Sequence, residues 1–246
     1  MPAPTPAEAF RMSHDRPDPA DPLVIPNVWD AVSARAFAAA GYPVLATSSS
    51  AVAAVLGHDD GGRTPADEMF AAVTRIIRSV DVPVTVDIES GYGLPPAEVA
   101  ERLLAAGAVG CNLEDTEHPT GTLRDPHEQA GFLAAVARAA DGRLVLNARV
   151  DTFLHGHRDA GAAVDRAKLY LEAGVDVVYP ILAPPALLPE LAEAVAAPLN
   201  ALYRPGGPDP AELGRLGAAR VTFGGGLHDR ATAALADIVR SPAAAG

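Results

Sequence analysis

The sequence has a single cysteine, Cys111, which excludes an intrachain disulfide framework and leads us to expect a reducing compartment, the cytoplasm. Basic charge is scarce as well, since 19 Lys and Arg stand against 31 Asp and Glu, a formal charge of −12. Wrapping a polyanion needs clustered cations that displace condensed counterions, so nucleic acid is excluded as a partner. No uninterrupted apolar run approaches the length of a membrane span, and Met1-Pro-Ala-Pro-Thr-Pro lacks the basic-then-apolar pattern of an export signal. No membrane partner is expected. A glycine-rich dinucleotide turn is missing too: after the first apolar run stands Pro26-Asn27-Val28-Trp29-Asp30.

What is present is ample core material. Of 246 residues 49% are hydrophobic and 20% charged, enough to bury one large domain without staples. Eight short apolar, β-branched runs read as strands: Leu23 to Val28, Val44 to Ser50, Val82 to Glu89, Gly110 to Thr116, Leu144 to Asp151, Val175 to Leu182, Pro198 to Arg204 and Arg220 to Gly226. Between them lie helical stripes such as Met69, Val73, Ile76 and Ile77, then Val99, Leu103 and Ala106, then Leu188, Leu191 and Val195. Helices repeatedly end at a glycine with a strand directly behind it, at Gly41, Gly107, Gly174 and Gly217. Such short crossovers force parallel pairing. Unit count and length favour a single-domain (β/α)8 TIM barrel of parallel strands over the doubly wound sheet that the same alternation permits. The expected divisions are an N-terminal tail over 1–22 with one short helix around Ala7 to Met12, the barrel over 23–240, and a C-terminal tail over 241–246.

In such a barrel, polar residues at the C-terminal strand ends face the active site. The third run turns acidic as it ends, and alternation along a strand puts Asp87 and Glu89 on one face. The fourth presents Asn112 and Glu114 together, with Asp115 opposite, and the fifth presents Asn147, Arg149 and Asp151. A lone acid is more often a helix cap or ion-pair partner. Acids crowded at adjacent strand ends beside an arginine instead suit a hard divalent cation such as Mg2+ or Mn2+. Other features rank lower. His155-Gly156-His157 reads as solvated, Gly224-Gly225-Gly226 as an anion-binding or merely tight turn, and Cys111 as core.

At this point the chain resembles the isocitrate lyase and phosphoenolpyruvate mutase superfamily, especially its short bacterial members, from about Leu23 to Gly226. The resemblance is carried, in order, by Pro26-Asn27-Val28-Trp29-Asp30-Ala31, Ala46-Thr47-Ser48-Ser49-Ser50, Asp59-Asp60-Gly61, Asp87-Ile88-Glu89-Ser90-Gly91-Tyr92-Gly93, Asn112-Leu113-Glu114-Asp115 and Asn147-Ala148-Arg149-Val150-Asp151. It implies a barrel that binds Mg2+ or Mn2+ and a 2-oxo acid or its enolate, and that makes or breaks a C–C or P–C bond. By the same resemblance Asp87 is the direct metal ligand, and Asp60, Glu89 and Glu114 hold metal-bound waters. Trp29, Ser48 and Ser49 cradle the substrate carboxylate, Tyr92, Gly93 and Asn200 also contact substrate, and Arg149 pairs with its anionic end. Arg149, Glu114 and Asp60 are the implied catalytic set.

The chain departs from its relatives after the fourth strand. Where lyases of the superfamily carry a catalytic cysteine and mutases a lysine, this sequence has Glu117 to Asp125, with neither. The leading expectation is a Mg2+-dependent lyase or decarboxylase acting on a small 2-oxo or 2-hydroxy acid. The alternatives are P–C bond chemistry, of the phosphonopyruvate hydrolase or mutase kind, and a non-catalytic metal-dependent oxo-acid binder. The partner is then a small carboxylate or phosphonate. Residues 117 to 125 are expected to form a lid, mobile without ligand, in which His118 and Arg124 are the groups able to offer a proton or positive charge. A homo-oligomer, dimer or tetramer, is expected.

Overall fold

The structure is a computed structural model that describes residues 3–240, so the expected C-terminal tail over 241–246 lies outside the described residues. Eight parallel strands follow one another around a single sheet. The first comes in two pieces, Leu23–Val24 and Asn27–Val28, and the others are Leu45–Thr47, Val84–Asp87, Gly110–Glu114, Val145–Val150, Val177–Pro180, Leu199–Leu202 and Ala218–Thr222. Leu23–Val24 pairs with the eighth strand, Leu23 opposite Arg220, whereas Asn27–Val28 pairs with the second. The break falls at Pro26, which has no N–H to donate. Its carbonyl still accepts from Ala46 at 3.0 Å, while the Ile25 N–H reaches Val221 at 2.9 Å. The two ends of the strand order are therefore consecutive in the chain, and the sheet closes into a barrel rather than lying open.

The apolar stripes read from the sequence pack as expected: Met69, Val73 and Ile76 of helix Ala66–Ile77, Val99, Leu103 and Ala106 of Pro96–Ala106, and Leu188, Leu191 and Val195 of Leu188–Val195 are buried. A second cluster fills the barrel at the N-terminal ends of the strands. There Leu23, Val44, Val109, Val145 and Val177 surround Phe10, which is 2% exposed. Phe10 arrives on helix Pro6–Met12, whose first turn is closed by a Thr5/Glu8 capping box. Arg11 fixes this helix beneath the barrel, pairing with Asp176 at 2.6 Å and donating to the Leu144 carbonyl at 3.0 Å. Gly110 makes room for it: a Cβ there would stand 2.5 Å from the Val145 carbonyl oxygen and 3.2 Å from the Phe10 ring. The bottom is plugged, so the cavity opens at the C-terminal ends.

Several strands are shorter than the apolar runs suggested. The second stops at Thr47, and Ser48 caps helix Ser49–Leu56 by accepting from the Ala51 N–H. The third stops at Asp87. Apolar character continues past the last ladder bond because the flanking turns are themselves buried, and composition alone does not register where pairing ends.

Candidate active site and metal centre

Asp87, the last residue of the third strand, points into a cavity of about 460 Å³ at the strand ends, lined also by Ser48, Ser49, Asp60, Asn112, Arg149 and Asn200. The Asp87 carboxylate accepts from the Ser49 N–H at 3.1 Å, the Ser49 hydroxyl at 2.8 Å and the Asn112 amide at 3.1 Å. Asn112 is held in turn by Asn147, at 3.0 Å. Glu89 joins this group by a route different from simple alternation. It lies past the strand end with φ +50°, in a turn that also holds Gly91, Tyr92 and Gly93 at positive φ. A non-glycine residue in the left-handed region is costly and concentrates at functional sites. Here the turn folds Glu89 inward, buried, where its carboxylate accepts from the Tyr92 hydroxyl at 3.0 Å and from the Gly62 N–H.

Glu114 closes the fourth strand and is 1% exposed. Its Oε2 lies 2.6 Å from Arg149 Nη1, and its Oε1 lies 2.7 Å from His118 Nε2, which is also 3.0 Å from Glu89 Oε2. The contacts of both Glu114 oxygens and of His118 Nε2 lack hydrogen-bond geometry, so these are charge contacts without directed bonds. Burial raises Glu114 to about 7, against the pull of Arg149, and burial together with Asp87 raises Glu89. Contact with Glu114 holds His118 more basic than a free imidazole despite partial burial. Asp87, Glu89, Glu114 and Asp151 thus converge with too little positive charge to satisfy them. Glu89, Glu114 and His118 each offer a ligand atom within 4.8 Å of the others. Buried carboxylates with undirected lone pairs beside an imidazole fit a divalent cation.

The segment expected to form a lid is a hairpin, Thr116–Glu117 against Thr122–Leu123, which places His118 against the acids. Arg124 turns elsewhere, donating to Gln129 at 2.7 Å and lying 5.5 Å from the Phe132 ring centroid. The sequence offers His118 as a lid residue able to supply a proton or positive charge; its place in the acidic cluster follows from the hairpin.

Arg149 is more occupied than a residue waiting for an anion. Its Nε and Nη2 form a fork with Asp151 at 2.7 and 2.9 Å, and Nη1 meets Glu114. Burial works against its charge, but Glu114 and Asp151 outweigh this and hold it firmly protonated. Asp115 faces outward as the alternation implied, pairing with Arg166 at 3.1 Å and accepting from Tyr170 at 2.8 Å. Asp60 stands exposed on the loop before helix Ala66–Ile77. Trp29 packs edge-on to His228, 5.2 Å between ring centroids. Asn200 accepts from Thr222 at 3.1 Å.

Three lesser features are also settled in place. His155 is half-buried, 3.0 Å from the Thr116 hydroxyl, while His157 is exposed. Cys111 is fully buried, and burial pushes its thiol pKa up, away from reactivity. Gly224 to Gly226 line the cavity, and a Cβ on Gly225 would stand 3.0 Å from the Ser50 hydroxyl, so the turn is glycine by close approach.

Fold and site together define an α/β barrel with a buried acidic cluster at its strand ends. A family model described as Phosphoenolpyruvate phosphomutase matches residues 14–242, and the chain belongs to that family. It is 35% identical over 230 residues to the uncharacterized protein Rv1998c of Mycobacterium tuberculosis, covering 91% of this chain and 87% of that protein. It is 34% identical to the probable 2-methylisocitrate lyase 2 of Corynebacterium glutamicum over 72% of this chain and 61% of that protein. Among solved structures, a putative phosphonomutase from Burkholderia cenocepacia superposes with a TM-score of 0.87 at 41% identity, covering 95% of this chain and 98% of that one.

Proposed function

We propose that this protein is a divalent-metal-dependent carbon–carbon lyase or decarboxylase acting on a small 2-oxo or 2-hydroxy acid, with Mg2+ or Mn2+ as its ion. The observation that carries the reading is the convergence of buried Glu89 and Glu114 with His118, ligand atoms within 4.8 Å of one another, beside Asp87 on the cavity wall, a charge set that suits a cation. Asp87, Glu89 and Glu114 would hold it, with Asp60 from the facing loop and His118 from the lid. An ion bound there supplies fixed positive charge against an enolate oxygen as it develops. Ser48 and Ser49 line the cavity at the N-terminus of helix Ser49–Leu56, whose positive end favours a substrate carboxylate although the Ser48 N–H is held by Val28 and the Ser49 N–H by Asp87, and a substrate role for Tyr92, Gly93 and Trp29 rests on the resemblance alone. Arg149 orients Glu114 through Nη1 and adds positive field to the site. His118 covers the cluster and can hold a proton at Nε2, the atom that faces Glu89 and Glu114. Decarboxylation asks least of a lid without cysteine or lysine, since CO2 leaves without needing a proton.

The likeness to a putative phosphonomutase favours P–C bond chemistry as a second reading of the same site. Turnover assays with oxaloacetate, substituted malates and phosphonopyruvate, with and without Mg2+, decide between them. Metal-dependent binding of oxalate without turnover of any of these would instead mark a non-catalytic binder and overturn both. We further infer a homo-oligomer in the cytoplasm. Leu235, Ile238 and Val239 stand exposed on the last helix, Gly226–Arg240, none of whose residues is buried, and this supports self-association. No helix among the described residues is long and apolar enough to cross a membrane.

A further inference from the structure

The eighth strand carries a charge that the site described above does not use. Arg220 sits mid-strand, 2% exposed, with its side chain among the groups lining the cavity. Its Nε and Nη1 have no hydrogen-bond partner. Carboxylates engage the partly buried Arg149, through Glu114 and Asp151, and Arg166, through Asp115, whereas the more deeply buried Arg220 has no ion pair among the described residues. From below, its guanidinium faces the Phe10 ring at 5.9 Å, a cation–π contact that offsets part of the burial but supplies neither a counter-charge nor a hydrogen-bond acceptor. Burial disfavours its charge and lowers its pKa to about 10, with Tyr179 and Asp87 acting against that shift.

Two neutral groups on the same cavity wall are also unspent, Thr85 Oγ1 and Asn147 Oδ1. Water can satisfy neutral groups of this kind. A buried guanidinium is different, because an unpaired charge in a low-dielectric interior is strongly disfavoured and water does not neutralise it. A carboxylate supplies both the charge and two acceptors spaced for the guanidinium edge. The cavity therefore has two poles: Asp87, with the acidic cluster behind it, and a guanidinium without an ion pair on its wall at Arg220. Arg149, the cation expected to meet the substrate, already has Nε, Nη1 and Nη2 committed to internal acids.

We propose that Arg220 is the anion-binding group of the cavity and pairs with a second, distal carboxylate of the substrate, so that the site selects dicarboxylic over monocarboxylic 2-hydroxy or 2-oxo acids. This rests on the reading that the cavity takes a small carboxylic acid at its metal-binding end. The cavity volume of about 460 Å³ suits a ligand of that size.

Malate and lactate form a matched pair of probes, sharing the 2-hydroxy acid end and differing by the distal carboxylate. Their dissociation constants are measured by calorimetry on the full chain with saturating Mn2+, alongside those of Mn2+ itself and of oxalate. The wild type should bind malate at least tenfold more tightly than lactate. Arg220→Gln should weaken malate roughly tenfold to a hundredfold, the scale of a lost charge-assisted pair, and leave Mn2+, oxalate and lactate binding in place. A malate preference that is absent in the wild type, or that survives in Arg220→Gln, overturns the assignment. Should Arg220→Gln fail to fold, Arg220→Lys decides, since it keeps the charge and loses the fork: weakened malate with unchanged lactate supports the proposal, and an unchanged ratio overturns it. Failure of the wild type to bind Mn2+ or oxalate brings down the metal-site reading and this inference together. Binding of both without a malate preference brings down the role of Arg220 alone.

Discussion

Replacing Glu114 tests the electrostatic account of the site. Burial lifts this carboxyl from 4.5 to about 7, and Arg149 and His118 only partly oppose the lift. A carboxyl with a raised folded-state pKa gives the native protein an extra proton between those two values, so metal-free stability falls as pH rises through that window. From pH 4.5 to 7, at roughly 1.4 kcal/mol per pH unit, the loss approaches about 3 kcal/mol. For a chain of this size that corresponds to roughly 6–12 °C in Tm. Raised Glu89 acts with the same sign. So does His118, whose raised pKa contributes stability that is complete below its unfolded value of 6.5 and is lost as pH climbs through the folded one.

The assay is thermal or urea unfolding in EDTA at pH 5, 6, 7 and 8. Wild type should be markedly less stable at pH 8 than at pH 5, and Glu114→Gln should remove most of that slope, Glu89 retaining a part. Saturating Mg2+ should raise wild-type stability strongly at pH 8 and little at pH 5, because the ion binds the ionised carboxylates that the metal-free protein accommodates poorly. A metal-free wild type indifferent to pH, or an undiminished slope in Glu114→Gln, would refute the reasoning.

Three further outcomes are expected. Asp87→Ala should abolish Mg2+-dependent turnover or ligand binding with the fold intact by circular dichroism, and Glu89→Gln should weaken the site less, because an amide still accepts from a metal-bound water; full metal affinity in Asp87→Ala would sink the ligand assignment. His118→Ala, assayed by kcat/KM once a substrate is known, should lose a hundredfold or more if Nε2 handles a proton, whereas a few-fold loss would reduce the lid to a cover. Phe10→Ala should cost roughly 3–5 kcal/mol in urea unfolding, since it empties the plug beneath the barrel, and a cost under about 1 kcal/mol would mean that the N-terminal helix is not part of the core.

Much of this architecture was legible because its signals are local. Gly41, Gly107, Gly174 and Gly217 all take positive φ behind their helices, and each of the eight apolar runs overlaps a strand, although the eighth strand begins at Ala218, two residues before its run. Local signals failed where the chain leaves regular geometry. Alternation along the third strand gave the right neighbour for Asp87 by the wrong route, since Glu89 is delivered by a left-handed turn that no period-two pattern describes. His118 could not be placed because a hairpin, rather than a helix, brings Nε2 within 2.7 Å of Glu114 four residues earlier. The first twenty residues read as a tail because they are rich in Pro and Asp, yet Phe10 among them fills the barrel interior.

Arg220 shows how far the rule of polar strand ends reaches. That rule picked out Asp87, Glu114 and Arg149 because each stands at or near the last rung of its strand. Arg220 stands two residues before the end of Ala218–Thr222, where barrel positions are filled by packing side chains, and the run Arg220 to Gly226 drew notice only as a strand, with Arg220 at its start rather than its middle. Arginine is almost never fully buried unless paired. A charge written into the middle of a strand in a closed barrel must therefore point outward to the helix layer, find an internal acid, or meet something from outside the chain. The first is excluded by its place in the cavity wall, and none of the described carboxylates makes the second. The third remains, and it turns a residue that sequence pattern treats as packing into the one that decides which acids the site accepts.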